Sequence, residues 1–344
     1  MKKIINWGIM GLGNAAMNLA QNFKDVPNAR LIALASKTEK KRDLFYNKFK
    51  IDKKNIYNNY ENLLNNENVD IVFIALPHTF HKEWCIKCAS KHKNILVEKP
   101  ATLTLVNLNE VINHVKLKKI FFTEGLAYMF HPFFNQINLE LKKINIKNVI
   151  SIKATFGNDA IGGKKIFGLR LKKPKKNKRL FNPDLAGGAI WDTGCYPISL
   201  VRKIISFVND GIYIKPEILS STKKIGSTGV DEYSTIQLRF NKIIANIETS
   251  IDRNLKNQIE IYLTEGKIII NNPWYPSNFS SIEIINDKEK KIIKCEKQVS
   301  AYQKEIEIIS DQLSKNLKEL EYPLSSYEDI CSNIDILEKW NNGQ

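Results

Sequence analysis

The first third of the chain alternates between short apolar runs and stretches of helical spacing. The runs are IINWGIM at 4–10, ARLIALAS at 29–36, VDIVFIAL at 69–76, NILVEKP at 94–100 and IFFTEG at 120–125. Apolar positions recur at helical spacing from Ala15 to Phe23, and helices are expected over about 79–90 and 104–117. Strands that are apolar throughout and joined by helices predict a parallel, doubly wound sheet with both faces covered. From about Val149 the period changes. SIKATFG, STIQLRF, KIIANIETSI, NQIEIYLTEGKIII and SIEIIND are separated by Asn, Gly and Asp, and they predict one large, mainly antiparallel sheet. A helix is expected within that half at about 190–208. Two more are expected in the tail, over 301–317 and 325–340, the last led by a serine cap. The fold class is α/β: a doubly wound parallel domain at 1–125, and an α+β domain with an open, mainly antiparallel sheet at 126–344.

Composition narrows the class. With 344 residues and 43% hydrophobic content the chain can form two cored domains. The formal net charge of +16 goes with heavy use of Lys, Asn and Ile throughout, and reads as composition bias. Residues 164–179, KKIFGLRLKKPKKNKR, hold nine basic residues and no acid. A solvated loop is the default for such a run, with an anionic substrate group or an oligomer partner as alternatives. No aromatic-interleaved motif goes with it, so no nucleic-acid partner is expected. Five scattered cysteines make no disulfide framework and point to a reducing compartment. Cys85 and Cys88 form C-I-K-C without a second pair, so no metal site is expected. The N-terminal MKKIINWGIMGLGNAAMNLA looks like a signal peptide only superficially, and no run is long enough to span a bilayer. The expected address is cytoplasmic, with no membrane partner.

The glycines give the N-terminal stretch another meaning. GLGNAA at 11–16 lies between the first strand and the first helix. There Gly11 permits a tight turn, Gly13 lets backbone amides approach a pyrophosphate, and Ala16 allows close packing of the helix. Asn14 and Ala15 open that helix, whose N-terminus faces the phosphates. This is the Rossmann dinucleotide pattern. At the end of the second strand, where an NAD-selective site carries Asp or Glu, the chain has Ser36 and Lys37, with Lys41 and Arg42 one helical turn on. A hydroxyl and cations suit a 2′-phosphate, so NADP is favoured and NAD remains possible. Ligands of such sheets bind beyond the carboxyl ends of the strands, which places Pro77, His78, Glu98, Lys99, Glu124 and Gly125 near the cofactor.

In GGAIWDTGCYP at 187–197, Asp192 and Tyr196 are four apart and share one face of a helix. Together with IALPHTFH at 74–81, EKPATL at 98–103, EGLAYMFHP at 124–132 and RLFNPDLAGGAIWDTGCYPISL at 179–200, they carry a resemblance that runs almost end to end. The chain resembles the glucose-fructose oxidoreductase, inositol dehydrogenase and MocA family of NAD(P)-dependent oxidoreductases. Tyrosine at 196, where many relatives have histidine, looks like the branch of glucose-fructose oxidoreductase, dimeric dihydrodiol dehydrogenase and NADP-dependent aldose dehydrogenases. The resemblance implies that Lys99 contacts the substrate hydroxyl and that Asp192 and Tyr196 belong to the catalytic motif. It also implies a homodimer at least, or a tetramer, built on the open sheet face.

The chemistry that follows has Tyr196 as acid/base, Lys99 tuning the phenol, and Asp192 orienting substrate or lysine. A nearby ammonium is what makes a phenol with an ordinary pKa near 10 a usable base. Asp192 has a second reading as a helix cap and Tyr196 as a packed aromatic. His131 stands as a substrate-pocket candidate or a structural histidine, and Arg179 as a weaker substrate-binding candidate. The substrate expected is a sugar, polyol or related hydroxyl or carbonyl compound. The alternatives are a cofactor-binding regulator without turnover and a redox-neutral glycosidase-type relative using bound NAD.

Overall fold

The computed structural model describes residues 3–163, 165–166, 169–170, 172–295 and 299–343. Lys164, Phe167, Gly168 and Leu171 of the basic run lie outside the described residues. The contact pattern divides the chain into two compact units, Met1–His131 with Val299–Ile334, and Pro132–Gln298 with Asp335–Gln344.

The first unit contains β1 (Ile5–Met10), α1 (Asn14–Ala20), β2 (Ala29–Ala35), α2 (Glu39–Phe49), β3 (Ile56–Tyr57), α3 (Tyr60–Leu64) and β4 (Ile71–Ile74). It continues with α4 (His81–Ser90), β5 (Asn94–Glu98), α5 (Leu105–Lys118) and β6 (Phe122–Gly125). The sheet order is β3-β2-β1-β4-β5-β6 with every neighbour parallel. The order reverses between β1 and β4, and the crevice beyond the carboxyl ends of those two strands is where such sheets bind ligands. The strands are buried on both faces because helices cover both, which is why they lack alternation. Trp7, Ile9, Ile71, Phe73 and Leu96 pack with Ile306 and Ile309 from the tail. Trp7 also donates its indole N–H to Ser310 Oγ at 3.0 Å, giving a buried donor a partner. The first helix ends at Ala20, short of the spacing that runs to Phe23, and Phe23–Asp25 form a 3₁₀ turn.

The second unit opens with α6 (Pro132–Leu141) and β7 (Val149–Gly157). A small pair, β8 (Lys165–Ile166) with β9 (Leu169–Arg170), precedes α7 (Cys195–Phe207). Then come β10 (Glu217–Ile225), β11 (Asp231–Phe240), β12 (Ile243–Ser250), β13 (Gln258–Leu263), β14 (Gly266–Asn271), β15 (Ser281–Ile285) and β16 (Lys290–Lys294). The larger sheet runs β10-β11-β12-β7-β13-β14-β15-β16. Its neighbours are antiparallel except β12 and β7, so the sheet is mixed though mainly antiparallel. A parallel pair needs a crossover, and the connection that includes α7 supplies it. Ile152, Ala154, Ile236, Leu238, Ile247 and Ile261 form the buried face, with Ile198, Val201 and Ile205 buried on α7.

The other face of this sheet is mainly polar, with Ile244, Ile269 and Ile292 set among charged and amide side chains. Gln237 bonds Asn246 at 2.9 Å, Tyr262 bonds Glu260 at 2.6 Å and Asn271 bonds Glu283 at 2.9 Å. An apolar open face, which would mark an association site by itself, is not what these strands present.

The tail folds as α8 (Ala301–Ser314) and α9 (Tyr327–Asn342). Residues 327–334 of α9 fall in the first unit and the rest in the second. No helix among the described residues is long and apolar enough to cross a membrane. α9 starts on a capping box: Ser326 N–H and Oγ each donate to Asp329 Oδ2 at 3.0 Å, and Asp329 N–H donates back to Ser326 Oγ at 3.2 Å. Ser326→Ala should lower the unfolding free energy by about 1 kcal/mol. Urea unfolding checks this, and an unchanged midpoint would show that the cap contributes nothing.

Candidate functional site

The nucleotide end of the first unit is built by backbone. Gly11 has φ +88°, and a Cβ there would lie 2.5 Å from the carbonyl oxygen of Ala75, so the turn between β1 and α1 requires glycine. Its N–H donates to Ala35 O at 2.9 Å, tying the ends of β1 and β2 together. Gly13 is the opposite case: a Cβ would have nothing within 4 Å, and no side chain caps α1. The first bond within that helix is Met17 N–H to Gly13 O, at 3.0 Å. The amides of Asn14, Ala15 and Ala16 precede it, at the positive end of the helix dipole. An open glycine before an uncapped helix fits a pyrophosphate. Ala16 is fully buried against the core, as its packing role requires.

At the end of β2 the Ser36 hydroxyl accepts from Thr38 N–H at 3.2 Å, and Arg42 Nη1 donates to Ser36 O at 2.7 Å. Arg42 is thereby held at the strand end, with the exposed Lys37 and Lys41 beside it in sequence. Lys37 Nζ lies 5.9 Å from the centre of the Tyr60 ring. Neither position 36 nor 37 carries a carboxylate.

Lys99 sits just past β5, on a loop pinned from two sides. His81 brings Nδ1 to 2.8 Å from Pro100 O and Nε2 to 2.9 Å from Leu76 O, so one buried imidazole joins this loop to the one bearing Pro77 and His78. Glu124 accepts the Ala101 N–H at 2.8 Å. Burial pushes the Glu124 carboxyl up to about 7, against the opposing pull of the Ala101 N–H and the Lys99 charge. Glu305 on α8 is also buried, and burial raises its pKa well above the carboxylate range, with the Glu98 charge adding to the effect. His78 is buried, while Pro77, Glu98, Lys99 and Gly125 are half-buried.

In the second unit, Ile190–Gly194 form a π-helical turn that runs into α7. Every residue from Gly187 to Ile205 is buried except Asp192 and Tyr196. A π turn of this kind often marks a functional site. The helix start is fixed by Asp231, whose Oδ2 accepts from Ile190 N–H at 2.8 Å and from Ser234 Oγ at 2.9 Å. Gly188, at φ +116°, gives Asp231 room: a Cβ there would lie 2.0 Å from Asp231 Oδ1. Burial lifts the Asp231 carboxyl to about 6, and its two donors act in the other direction. Asp231 therefore takes the capping role considered for Asp192, which pairs instead with Arg179 through Nη2 and Oδ1 at 2.5 Å. Thr193 Oγ1 bonds Ala189 O at 2.8 Å and Thr249 Oγ1 at 2.5 Å, anchoring the turn to β12.

Tyr196 belongs to an aromatic cluster as well as facing outward. Its ring meets Phe156 edge-on at 5.3 Å and lies 6.0 Å from Tyr275, and Phe156 also packs on Trp274 at 5.2 Å. His131 is buried in the first unit with Nε2 at 3.0 Å from Val299 O, and desolvation lowers its pKa. That is the structural reading of this histidine. Cys85 and Cys88 are buried on α4, and burial raises both thiols, which makes them poor nucleophiles or metal ligands. Among the described residues, no group of three or more His, Cys, Asp or Glu is placed to hold a metal ion.

The model of the Gfo/Idh/MocA oxidoreductase family, NAD-binding Rossmann fold, matches residues 5–126, and the model of its C-terminal domain matches residues 148–269. The chain belongs to the Gfo/Idh/MocA family. It is an NAD(P)-dependent oxidoreductase by that membership. Over 289 residues the chain is 27% identical to a trans-1,2-dihydrobenzene-1,2-diol dehydrogenase of Xenopus tropicalis, spanning 83% of this chain and 80% of that protein. A D-xylose 1-dehydrogenase (NADP(+)) of Hypocrea jecorina is 28% identical over 249 residues, spanning 69% and 62% of the two chains. The 3-ketoreductase of Actinomadura kijaniata shares the fold, with a TM-score of 0.83 at 18% identity over 99% of this chain and 98% of that one.

Of the residues gathered at the two candidate sites, spacing made the glycine turn and the Asp192/Tyr196 pair legible. His81, Asp231 and the aromatics Phe156, Trp274 and Tyr275 gave no such signal. His81 closes the stretch IALPHTFH, whose spacing points to no role for it, and Asp231 works from 41 residues away.

Glu124 gives the first unit a pH dependence. Its pKa in the fold lies above the ordinary 4.5, so its contribution to stability is full below about pH 4.5 and is lost as pH rises through 7. A shift of that size is worth about 3 kcal/mol. Glu124→Gln keeps an acceptor for Ala101 N–H and removes the titration. Urea unfolding at pH 5 and pH 8 should show a pH-dependent loss reduced by roughly that amount in the variant. Equal losses in variant and parent would exclude this role for Glu124.

Proposed function

We propose that this oxidoreductase is an NADP-dependent dehydrogenase or reductase of a CH–OH or carbonyl group on a sugar, polyol or related substrate. Tyr196 is its acid/base, assisted by Lys99. The observation that carries the reading is that Asp192 and Tyr196 alone are only half-buried along an otherwise buried stretch of nineteen residues, Gly187 to Ile205. Purely structural residues would be buried with their neighbours. The nicotinamide, when bound, supplies a two-electron acceptor or donor for hydride.

In oxidation, Tyr196 takes the hydroxyl proton as the carbon gives up hydride and the C–O bond becomes C=O. In reduction it returns that proton to the carbonyl oxygen. The Lys99 ammonium favours the phenolate and donates to the substrate oxygen. Asp192 orients the substrate through hydroxyl hydrogen bonds, with its carboxylate direction set by Arg179. Tyr275, backed by the buried Phe156 and Trp274, offers an apolar flank to the carbon skeleton.

The choice of NADP rests on Ser36, Lys37, Lys41 and Arg42, with Arg42 held at the strand end where a 2′-phosphate would need a cation. The D-xylose dehydrogenase relative carries NADP(+) in its name, and the 3-ketoreductase structure contains NADP. Self-association as a homodimer or tetramer is part of the reading, with the polar sheet face joining by hydrogen bonds and ion pairs. The buried thiols of Cys85 and Cys88 suit a reducing, cytoplasmic setting.

A panel of aldoses, polyols, keto-sugars and nucleotide sugars, assayed with both cofactors by the absorbance of reduced nicotinamide, tests the reading. With the substrate found, Tyr196→Phe should lower kcat by about 10²- to 10⁴-fold. Full turnover in that variant would remove the tyrosine from the chemistry, and full turnover in Lys99→Ala would remove the lysine. NADP should bind more tightly than NAD in a fluorescence titration, and the reverse order would refute the cofactor choice.

A further inference from the structure

The basic run has no place in the chemistry above, yet part of it encloses a cavity. Lys172, Lys173, Lys175 and Lys178, together with Ala160 and Pro174, surround a pocket of about 190 Å³, with Ile161 and Phe181 among its lining residues. Ile161 and Phe181 are 4% and 1% exposed and belong to a small apolar cluster with Ala189 and Ile251, so the pocket has a fixed floor. The turn before it is packed onto one of the lysines: a Cβ at Gly163 would lie 2.7 Å from Lys172 Cβ.

Some lysines of the chain meet carboxylates, as Lys82 meets Glu110, Lys143 meets Glu140 and Lys339 meets Asp335, and other exposed lysines do not. Among the described residues, none of these four lysines forms an ion pair. Four exposed lysines lining one small cavity gather like charge there, and an anion among them is favoured by it. The volume is below the roughly 300 Å³ at which pockets begin to hold a whole drug-sized ligand. It suits one charged group whose remainder lies outside. A compact dianion fits point-charge donors on flexible stems.

We propose that the Lys172/Lys173/Lys175/Lys178 pocket binds the phosphate of a phosphorylated carbohydrate. The chain link to the site described above is short. Lys178 precedes the turn Arg179–Phe181, in which Phe181 forms part of the floor and Arg179 grips Asp192. A phosphate held here orders the segment that orients Asp192, and the sugar carbons extend towards it. This assignment of the substrate class rests on the proposed function, while the binding itself does not require turnover.

The test is titration calorimetry with inorganic phosphate, ribose 5-phosphate and ribose. It compares the parent chain with a triple variant, Lys172→Ala, Lys175→Ala and Lys178→Ala. A charge-matched control carries Lys91→Ala, Lys242→Ala and Lys288→Ala, three exposed lysines far from the run in sequence. The expected result is that the pocket variant binds ribose 5-phosphate at least about tenfold more weakly, while the control binds like the parent. Affinity should also fall with added salt. Equal affinity in parent and pocket variant, or equal weakening in pocket variant and control, overturns the proposal. A single-stranded RNA oligomer is titrated alongside: loss of RNA binding with ribose 5-phosphate binding intact would assign the lysines to nucleic acid and also overturn it. Because the readout is heat of binding, an absence of sugar turnover would count against the proposed function and leave this result readable.

Discussion

The buried carboxylate of Asp231 sets where the helix of the second unit begins, and the start of a helix sets its phase. With Ile190 N–H and Ser234 Oγ both donating to Oδ2, the π turn can begin at one place only. A shift by one residue would rotate the segment by roughly 100° and exchange exposed for buried positions. Asp192 and Tyr196 would then be carried into the core and apolar neighbours into solvent. The helix is buried along nearly its whole length, so the two half-buried side chains are a consequence of this one anchor.

The first unit uses the same device. Strand ends supply rigid positions, and buried polar groups bind the backbone of the loops beyond them. The His81 ring lies within hydrogen-bond distance of the carbonyls of Leu76 and Pro100, and Glu124 holds the amide of Ala101. Leaving such a group unpaired costs about 1–3 kcal/mol, so each bond resists displacement of the loop that carries Lys99. A side chain on a pinned loop keeps its direction, which the role proposed for Lys99 requires. At the nucleotide end backbone does the work alone, through a turn that only glycine can make and a helix start left open.

Legibility followed the range of the interactions. Parallel strands buried on both faces are continuous apolar words, so β1, β2, β4, β5 and β6 could be read from the chain. The two residues of β3 are too short to give a pattern. Strand β10, EILSSTKKI, is mostly exposed and carries no apolar alternation. The parallel pairing of β12 with β7 joins residues nearly a hundred apart, which no local window contains. The same holds within the site. Asp192 and Tyr196 share a local spacing, but Asp231 reaches Ile190 from across the sheet, and the Arg179–Asp192 pair depends on how the intervening turns fold. Cross-strand hydrogen bonds and ion pairs on the open sheet face, such as Gln237 with Asn246 and Lys153 with Glu248, likewise depend on strand register and leave no mark in a local window.

The central claim is that this chain moves hydride directly between a substrate carbon and nicotinamide. With the substrate identified, deuterium placed on the reacting carbon should appear in the reduced cofactor, raising its mass by about one dalton, and the product should lose it. Deuterium released to solvent, or product formed while the cofactor stays unlabelled, would contradict the account.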